Sequence, residues 1–433
     1  MMRAGMTCRR WRRLAALCAA LLAAQLAGCG TRLRWHLVRE PGDAAIAAAL
    51  QEDDTSDAAP DTAPAPDVPS VPAPERLRTC CAFGADLRTQ VGIVPLPGFA
   101  IGNIVGPDDL GPHKYDGGLL ALNPGQDPSA GREWGEGNGL VYTCRGGFID
   151  IAHVRDYADW TIFLSAHVFR GLYQGDTITL SDKGGERRIV IRPLTKEQRD
   201  TVGARELAIA TGQWLAFKLA NWHEIATWHG WSWFRAFPET ASAFSPEDVY
   251  SDLVGTRIAG GIMEASSAET DSLYEATMNI WLRRTLQRLG AQPTAVGRQA
   301  MFAVDGVWWD SSRRLPDQRL TLRRYLDTGP TITPWLVSDA GIDAATTALL
   351  DEHCGDDVRP IVLRNPDTYR GIALRDVATL EIDVSPALAR RGFPFPRPDS
   401  QRITQEDFAA IIAAIAIDND AQFGTGADSP SRQ

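Results

Sequence analysis

The chain has 433 residues, 44 Lys plus Arg against 54 Asp plus Glu, and a formal net charge of −10. At 44% hydrophobic and 23% charged it has ordinary globular composition, with length for one large domain or two moderate ones. The acidic balance excludes a nucleic-acid partner, which calls for a concentrated basic surface to neutralise phosphates.

Arg3, Arg9, Arg10, Arg12 and Arg13 precede Leu14 to Leu26, an apolar stretch of 13 residues. That is the length of an export signal and short of the ~20 residues that span a bilayer as a helix. The stretch ends Leu26-Ala27-Gly28-Cys29, which resembles the lipobox of bacterial lipoproteins. The resemblance implies that residues 1–28 are a cleaved signal peptide and that Cys29 carries palmitate-type acyl chains. It also implies that the protein is exported to the periplasm and held to a membrane by this lipid. Gly30 after the Cys implies the outer membrane of a Gram-negative bacterium. Cleavage removes five Arg and no acid, which leaves the mature chain at −15.

Residues 41–75 hold seven Pro, eight Asp or Glu, and no Lys or Arg. Such a stretch buries too little apolar surface to offset its ordering entropy, so residues 29–77 are expected to be lipid anchor and extended tether. A main globular domain is expected over 78–338, a C-terminal α/β extension over 339–422, and a disordered tail over 423–433.

To about residue 195 the pattern is short strands and Gly/Pro turns, including a hairpin joining Thr177–Leu180 to Arg188–Ile191 around Gly184-Gly185. A helix is expected from Ile149 to about His167. The middle is helical: 204–229, Pro246 to about Ala259 with Ser245 as N-cap, and Asp271 to Leu289. Asp305-Gly306 reads as a hairpin turn. Strands follow at Arg359–Leu363 and Ala378–Val384, then a helix capped by Thr404 with Phe408–Ile417 as its apolar run. The class is α+β, with a mostly helical centre, short strands and hairpins, and a small α/β C-terminal part.

Of seven Cys, Cys80, Cys81, Cys144 and Cys354 remain after Cys8 and Cys18 leave with the signal and Cys29 takes the lipid. Four Cys allow three connectivities; a disulfide between 80 or 81 and Cys144 is the first expectation.

The stretch with most chemical shape is Trp222-His223-Glu224-Ile225-Ala226-Thr227-Trp228-His229. His223 shares a helical face with Ala216, Leu219, Ala220, Ala226 and Thr227, small and apolar enough to be buried. Glu247 lies 24 residues after His223, in Glu247-Asp248-Val249-Tyr250-Ser251-Asp252. Together these resemble a degenerate gluzincin metallopeptidase. The resemblance implies His223 as a zinc ligand and Glu224 as the base. Asp248 or Glu247 would be the acidic ligand, and Asp252 the carboxylate that orients a ligating His. Thr227 stands where that family has its second His, and zinc catalysis needs three protein ligands. His153 could supply one from another helix. The plainer reading is a His–carboxylate network that only holds helices together.

Asp150, His153 and Arg155 cluster at the expected start of the 149–167 helix, as an auxiliary acid/base group or as helix-terminal charges. Five of the 13 Trp fall in 214–233, and Trp308-Trp309 follows the expected turn. Trp228, Trp231, Trp233 and Trp308 could form an aromatic surface for glycan or protein, against the plainer role of core residues. No GxSxG, P-loop or GxGxxG signature is present.

Cys80-Cys81-Ala82-Phe83-Gly84, Gly147-Phe148-Ile149-Asp150-Ile151-Ala152-His153, His223-Glu224-Ile225-Ala226-Thr227-Trp228 and Phe244-Ser245-Pro246-Glu247-Asp248 together resemble a family of uncharacterised bacterial lipoproteins, domain of unknown function 4056. That resemblance implies a location and no established activity. Two readings from different classes stand open. One is a lipid-anchored, metal-dependent hydrolase acting on an envelope polymer or peptide. The other is a non-catalytic envelope module binding glycan or protein.

Overall fold

The computed structural model describes residues 40–51, 71–74, 77–78, 82–117, 136–232, 238–265, 271–355, 358–397 and 399–423. The first element is a helix, α1 (Asp43–Leu50), followed by the β1 (Leu87–Val91)–β2 (Val94–Ile101) and β3 (Leu140–Thr143)–β4 (Gly147–Asp150) antiparallel hairpins. Strand β4 runs directly into α2 (Ile151–Gln174), then β5 (Asp176–Asp182), β6 (Gly185–Ile191), α3 (Lys196–Val202) and α4 (Ala204–Trp228). Next come α5 (Asp248–Glu264), α6 (Asp271–Arg288) and α7 (Thr294–Ala303). The remainder holds β7 (Thr331–Ile332), α8 (Ala344–Cys354), β8 (Leu363–Arg364), β9 (Thr368–Tyr369), β10 (Ile372–Ala373) and α9 (Leu374–Val377). It ends with β11 (Ala378–Val384), α10 (Pro386–Ala389), β12 (Arg402–Thr404) and α11 (Phe408–Phe423). The class is α+β.

Nineteen of the 24 residues of α2 are buried, so it is the central helix, and α4 and α5 pack on it. Glycines set how close these helices come. A Cβ at Gly212 of α4 would lie 2.1 Å from Ser165 Oγ, and one at Gly255 of α5 would lie 2.3 Å from the Val154 carbonyl oxygen. Both contacts are closer than any side chain permits, so α2 is clasped at backbone range from two sides.

The largest sheet is four-stranded, in the order β12-β11-β6-β5, and antiparallel throughout. The hairpin expected around Gly184-Gly185 forms its β5–β6 half. Strand β11 forms over the expected Ala378–Val384 and alternates buried and half-buried residues, as a strand with one face on the core does. It pairs with β6 from Ala378↔Ile191 to Val384↔Gly185, so the C-terminal residues and the central region share one sheet.

Several expectations are corrected. Residues 43–50, expected within the tether, form α1, with Ile46 and Leu50 buried at 1% and 0% exposure against α5 and α6. The run Ala44-Ala45-Ile46-Ala47-Ala48-Ala49-Leu50 is rich in the best helix formers, and its two large apolar residues are four apart on one face. Helix α5 begins at Asp248, not Pro246, and the Asp248 carboxylate reaches back to the Ser245 N–H, which displaces Ser245 from the capping role. At Asp305-Gly306 there is a tight turn with an isolated Asp305–Trp309 bridge and no flanking strands. The strand expected at 359–363 shrinks to Leu363–Arg364, paired with β7. Cys144 bonds to Cys354, 210 residues away, and not to the 80–81 pair, which lies outside the described residues. The 424–433 tail and most of 52–76 also lie outside them.

Candidate functional site

The β4–α2 junction presents Asp150. Its carboxylate caps α2 by accepting from the Ala152 N–H (2.7 Å) and the His153 N–H (3.4 Å). Its own N–H donates to Ser251 Oγ at 2.9 Å, and Ser251 Oγ donates to the Glu247 carbonyl at 2.7 Å. The start of α2 is thereby bolted to the first turn of α5. One turn into α2, His153 Nδ1 lies 2.9 Å from Asp252 Oδ1 and 3.6 Å from Asp248 Oδ1. Asp248 and Asp252 are one turn apart on α5 and face α2 together.

Asp150, His153 and Asp248 each offer a ligand atom, and these atoms all lie within 4.8 Å of one another. All three residues are buried. Asp248 Oδ1 and Asp252 Oδ2 have no hydrogen-bond partner among the described residues, although both residues are almost fully buried. A buried carboxylate oxygen left unpaired is costly unless a proton or a cation meets it.

Two further acids join electrostatically. Burial pushes Glu224 up to about 7, with the Asp252 charge adding and His153 opposing. Burial pushes Glu247 up to about 8, with Asp150 adding. Burial also holds Asp248 well above the usual carboxylate range, and Glu224, Glu247 and Asp252 push the same way. Five carboxyl groups around one imidazole cannot all carry charge in a dry site. The Arg324 charge acts on Glu224 and Asp248, but its guanidinium donates to the Ala243 and Gln318 carbonyls and lies 5.1 Å from the centre of the Trp228 ring. The donor set, two carboxylates and an imidazole with oxygen-rich surroundings, can hold a metal ion.

Glu224 is fixed by an unusual backbone. Phe244, buried and non-glycine, takes φ +53° and aims its N–H at Glu224 Oε2. A bulky residue in the left-handed region costs energy that the surrounding packing must offset, a pattern common at functional sites.

The predicted residues divide. Glu224, Glu247, Asp248, Asp252, Asp150 and His153 converge. His223 does not join the ligand trio: its ring packs on Trp231 with centroids 4.8 Å apart, and burial lowers it to about 3, so the imidazole is neutral. Consecutive helical side chains diverge by ~100°, so Glu224 faces α5 while His223 turns away. Asp252 does meet a histidine nitrogen, but that histidine is His153. Thr227 is buried with its hydroxyl unpartnered among the described residues. Arg155 leaves the His153 cluster and donates to the Leu110, Gly111 and Gly137 carbonyls and to Asn138 Oδ1. Trp228, Trp231 and Trp308 are only 6%, 6% and 3% exposed, so they form no aromatic outer surface; Trp233 lies outside the described residues.

Sequence reasoning missed two features. A cavity of about 570 Å³ is lined by Tyr157, Trp160, Arg187, Trp222, His223 and Trp231, among others. Tyr157 touches both places, for its ring also packs edge-on against His153 at 6.2 Å between centroids. Beyond it, Arg78 bonds Glu136 at 2.6 Å, Asp156 at 2.7 Å and Asp159 at 3.1 Å, all buried. His113 and Tyr274 also reach Asp159, at 3.0 and 2.8 Å. Asp156 and Asp159, three apart on one face of α2, were the available signal; their partners are distant in sequence.

No curated protein and no solved structure matches the chain. A family model described as "Protein of unknown function (DUF4056)" matches residues 68–338, more than half of the chain and a span that includes Asp150, His153, Glu224, Glu247, Asp248 and Asp252, and the protein belongs to that family.

Proposed function

We propose that this is a lipid-anchored envelope protein whose Asp150, His153 and Asp248 bind a divalent metal ion, zinc being the first to test, in the service of a hydrolytic reaction. The observation that carries the reading is the buried trio with ligand atoms within 4.8 Å, beside carboxylate oxygens that no group among the described residues hydrogen-bonds. A bound divalent ion acidifies water and polarises a carbonyl or phosphoryl oxygen. Asp252, at 2.9 Å from His153 Nδ1, orients the imidazole. Glu224, anchored by the Phe244 amide, is the proton acceptor. The aromatic cavity that shares Tyr157 with this site accommodates part of an envelope polymer or peptide. This differs from the gluzincin arrangement in two respects: His153 replaces His223 as the nitrogen ligand, and Asp150 fills the place of the second His.

The test is metal content by inductively coupled plasma mass spectrometry on full-length protein purified without chelator or nickel resin. About one equivalent of divalent metal is expected in the wild type and in His223→Ala, and little in His153→Ala or Asp248→Asn. Loss in His223→Ala with retention in His153→Ala would reinstate the gluzincin-like ligand set. Absence of metal from every form, after zinc has been offered, would reduce the cluster to structure and leave the binding-module reading.

A further inference from the structure

Nine large apolar residues are strongly exposed among those described, and four of them fall within six consecutive positions. They are Val91 (64%), Ile93 (94%), Val94 (62%) and Leu96 (38%). All four sit at the tip of the β1–β2 hairpin, where Val91 pairs with Val94 across the Gly92-Ile93 turn. Exposed apolar side chains gathered in one place, unlike those scattered singly, mark an interaction surface.

The chemistry of the hairpin selects the partner. From Leu87 to Gly106 there is one Arg and no acid, in a chain whose net charge is −10. The tip is therefore the place where an acidic protein meets an anionic surface with least repulsion. Strand β2 also carries Pro95 and Pro97, neither of which has an N–H. Each proline thus removes one donor from β2, whose pairing with β1 is interrupted between Gln90↔Pro95 and Arg88↔Ala100. An edge short of donors is unsuited to accepting a strand from a partner protein. It is suited to an apolar medium, where unpaired N–H groups are heavily penalised.

We infer that the β1–β2 tip is a membrane-docking element that inserts Val91, Ile93, Val94 and Leu96 into the headgroup and upper acyl region of a bilayer. The bilayer itself comes from the anchoring reading; the metal centre plays no part. Only 13 residues lie between Cys29 and the start of α1, roughly 50 Å of fully extended chain from Cα to Cα, so the lipid surface is within reach of the folded residues. Lipid and hairpin act as two weak attachments that together hold firmly, as dual membrane signals do.

The test uses residues 30–433, which contain every element described, expressed without lipid and floated with vesicles of phosphatidylethanolamine and phosphatidylglycerol. The wild type floats, and Ile93→Asp/Val94→Asp lowers the bound fraction by about tenfold or more. Ile417→Asp, which alters a solitary exposed residue on α11, leaves it unchanged. Thermal melts of all three forms check folding. A wild type that stays in solution, or a double variant that floats equally well, overturns the inference. So does a wild-type dimer that the double variant converts to monomer, because the tip would then serve a second copy. Mass spectrometry of the N-terminal peptide from membrane-extracted full-length protein reads the anchor separately. Failure of the lipid and failure of the hairpin are therefore distinguishable.

Discussion

Arg78 holds three buried carboxylates at once, and its value to the fold follows from what its removal leaves behind. Burial alone would push Glu136 up, but the Arg78 hydrogen bond and charge outweigh it and hold Glu136 down to about 2. Glu136 thus stabilises the fold fully above its ordinary value of 4.5, and that contribution is lost as pH falls toward 2. Replacing Arg78 with Met strands Glu136, Asp156 and Asp159 in a dry site, and a loss of about 3–5 kcal/mol is expected by urea unfolding at pH 7. The loss should shrink at pH 3, where protonation relieves the stranded acids. An equal loss at both pH values would mean that shape, not charge, is what Arg78 supplies. Histidine shows the same dependence on surroundings. His153 is buried and His223 half-buried, and one meets carboxylates while the other meets an indole.

Helix α5 carries Asp248 of the candidate metal trio, helix α2 carries His153, and Asp150 ends β4 immediately before α2. Their separation is set where Gly255 faces the Val154 carbonyl, one residue from His153. Gly255→Val should cost about 1–3 kcal/mol through overpacking. It should also lower metal content, because it pushes Asp248 away from Asp150 and His153. Thermal melting with metal analysis on the same preparation checks both; a destabilised variant that keeps its metal would uncouple the helix spacing from the site. Much at this scale was legible in the sequence. Strand β11, the β5–β6 hairpin and α4 follow from apolar periodicity and turn residues, which act over a few positions. What periodicity does not carry is which helices meet. The His223-Glu224 pair drew the expected ligand set to α4, while His153 and Asp248, which the fold brings to 3.6 Å, lie 95 residues apart and are joined only by the packing of α2 on α5. Helix α1 was hidden for another reason: eight helical residues stand at the head of a Pro- and acid-rich run whose average composition reads as tether.

At the scale of the molecule, the family match ends at residue 338, yet the sheet does not. Strand β11 enters between β6 and β12, and a chain stopped at 338 would leave Ile189 and Ile191, now fully buried, on an unpaired edge. That truncation should be insoluble or lack a cooperative melt. A soluble fragment with a sharp transition would show that 68–338 folds alone. The Cys144–Cys354 bond adds a covalent consequence. It closes the backbone into a loop that contains all six groups of the acidic site, Asp150, His153, Glu224, Glu247, Asp248 and Asp252. A protease that cuts once anywhere inside the loop produces two pieces still joined through sulfur. On a gel run without thiol they migrate as one band, so the nicked protein passes for whole until a reductant separates the halves.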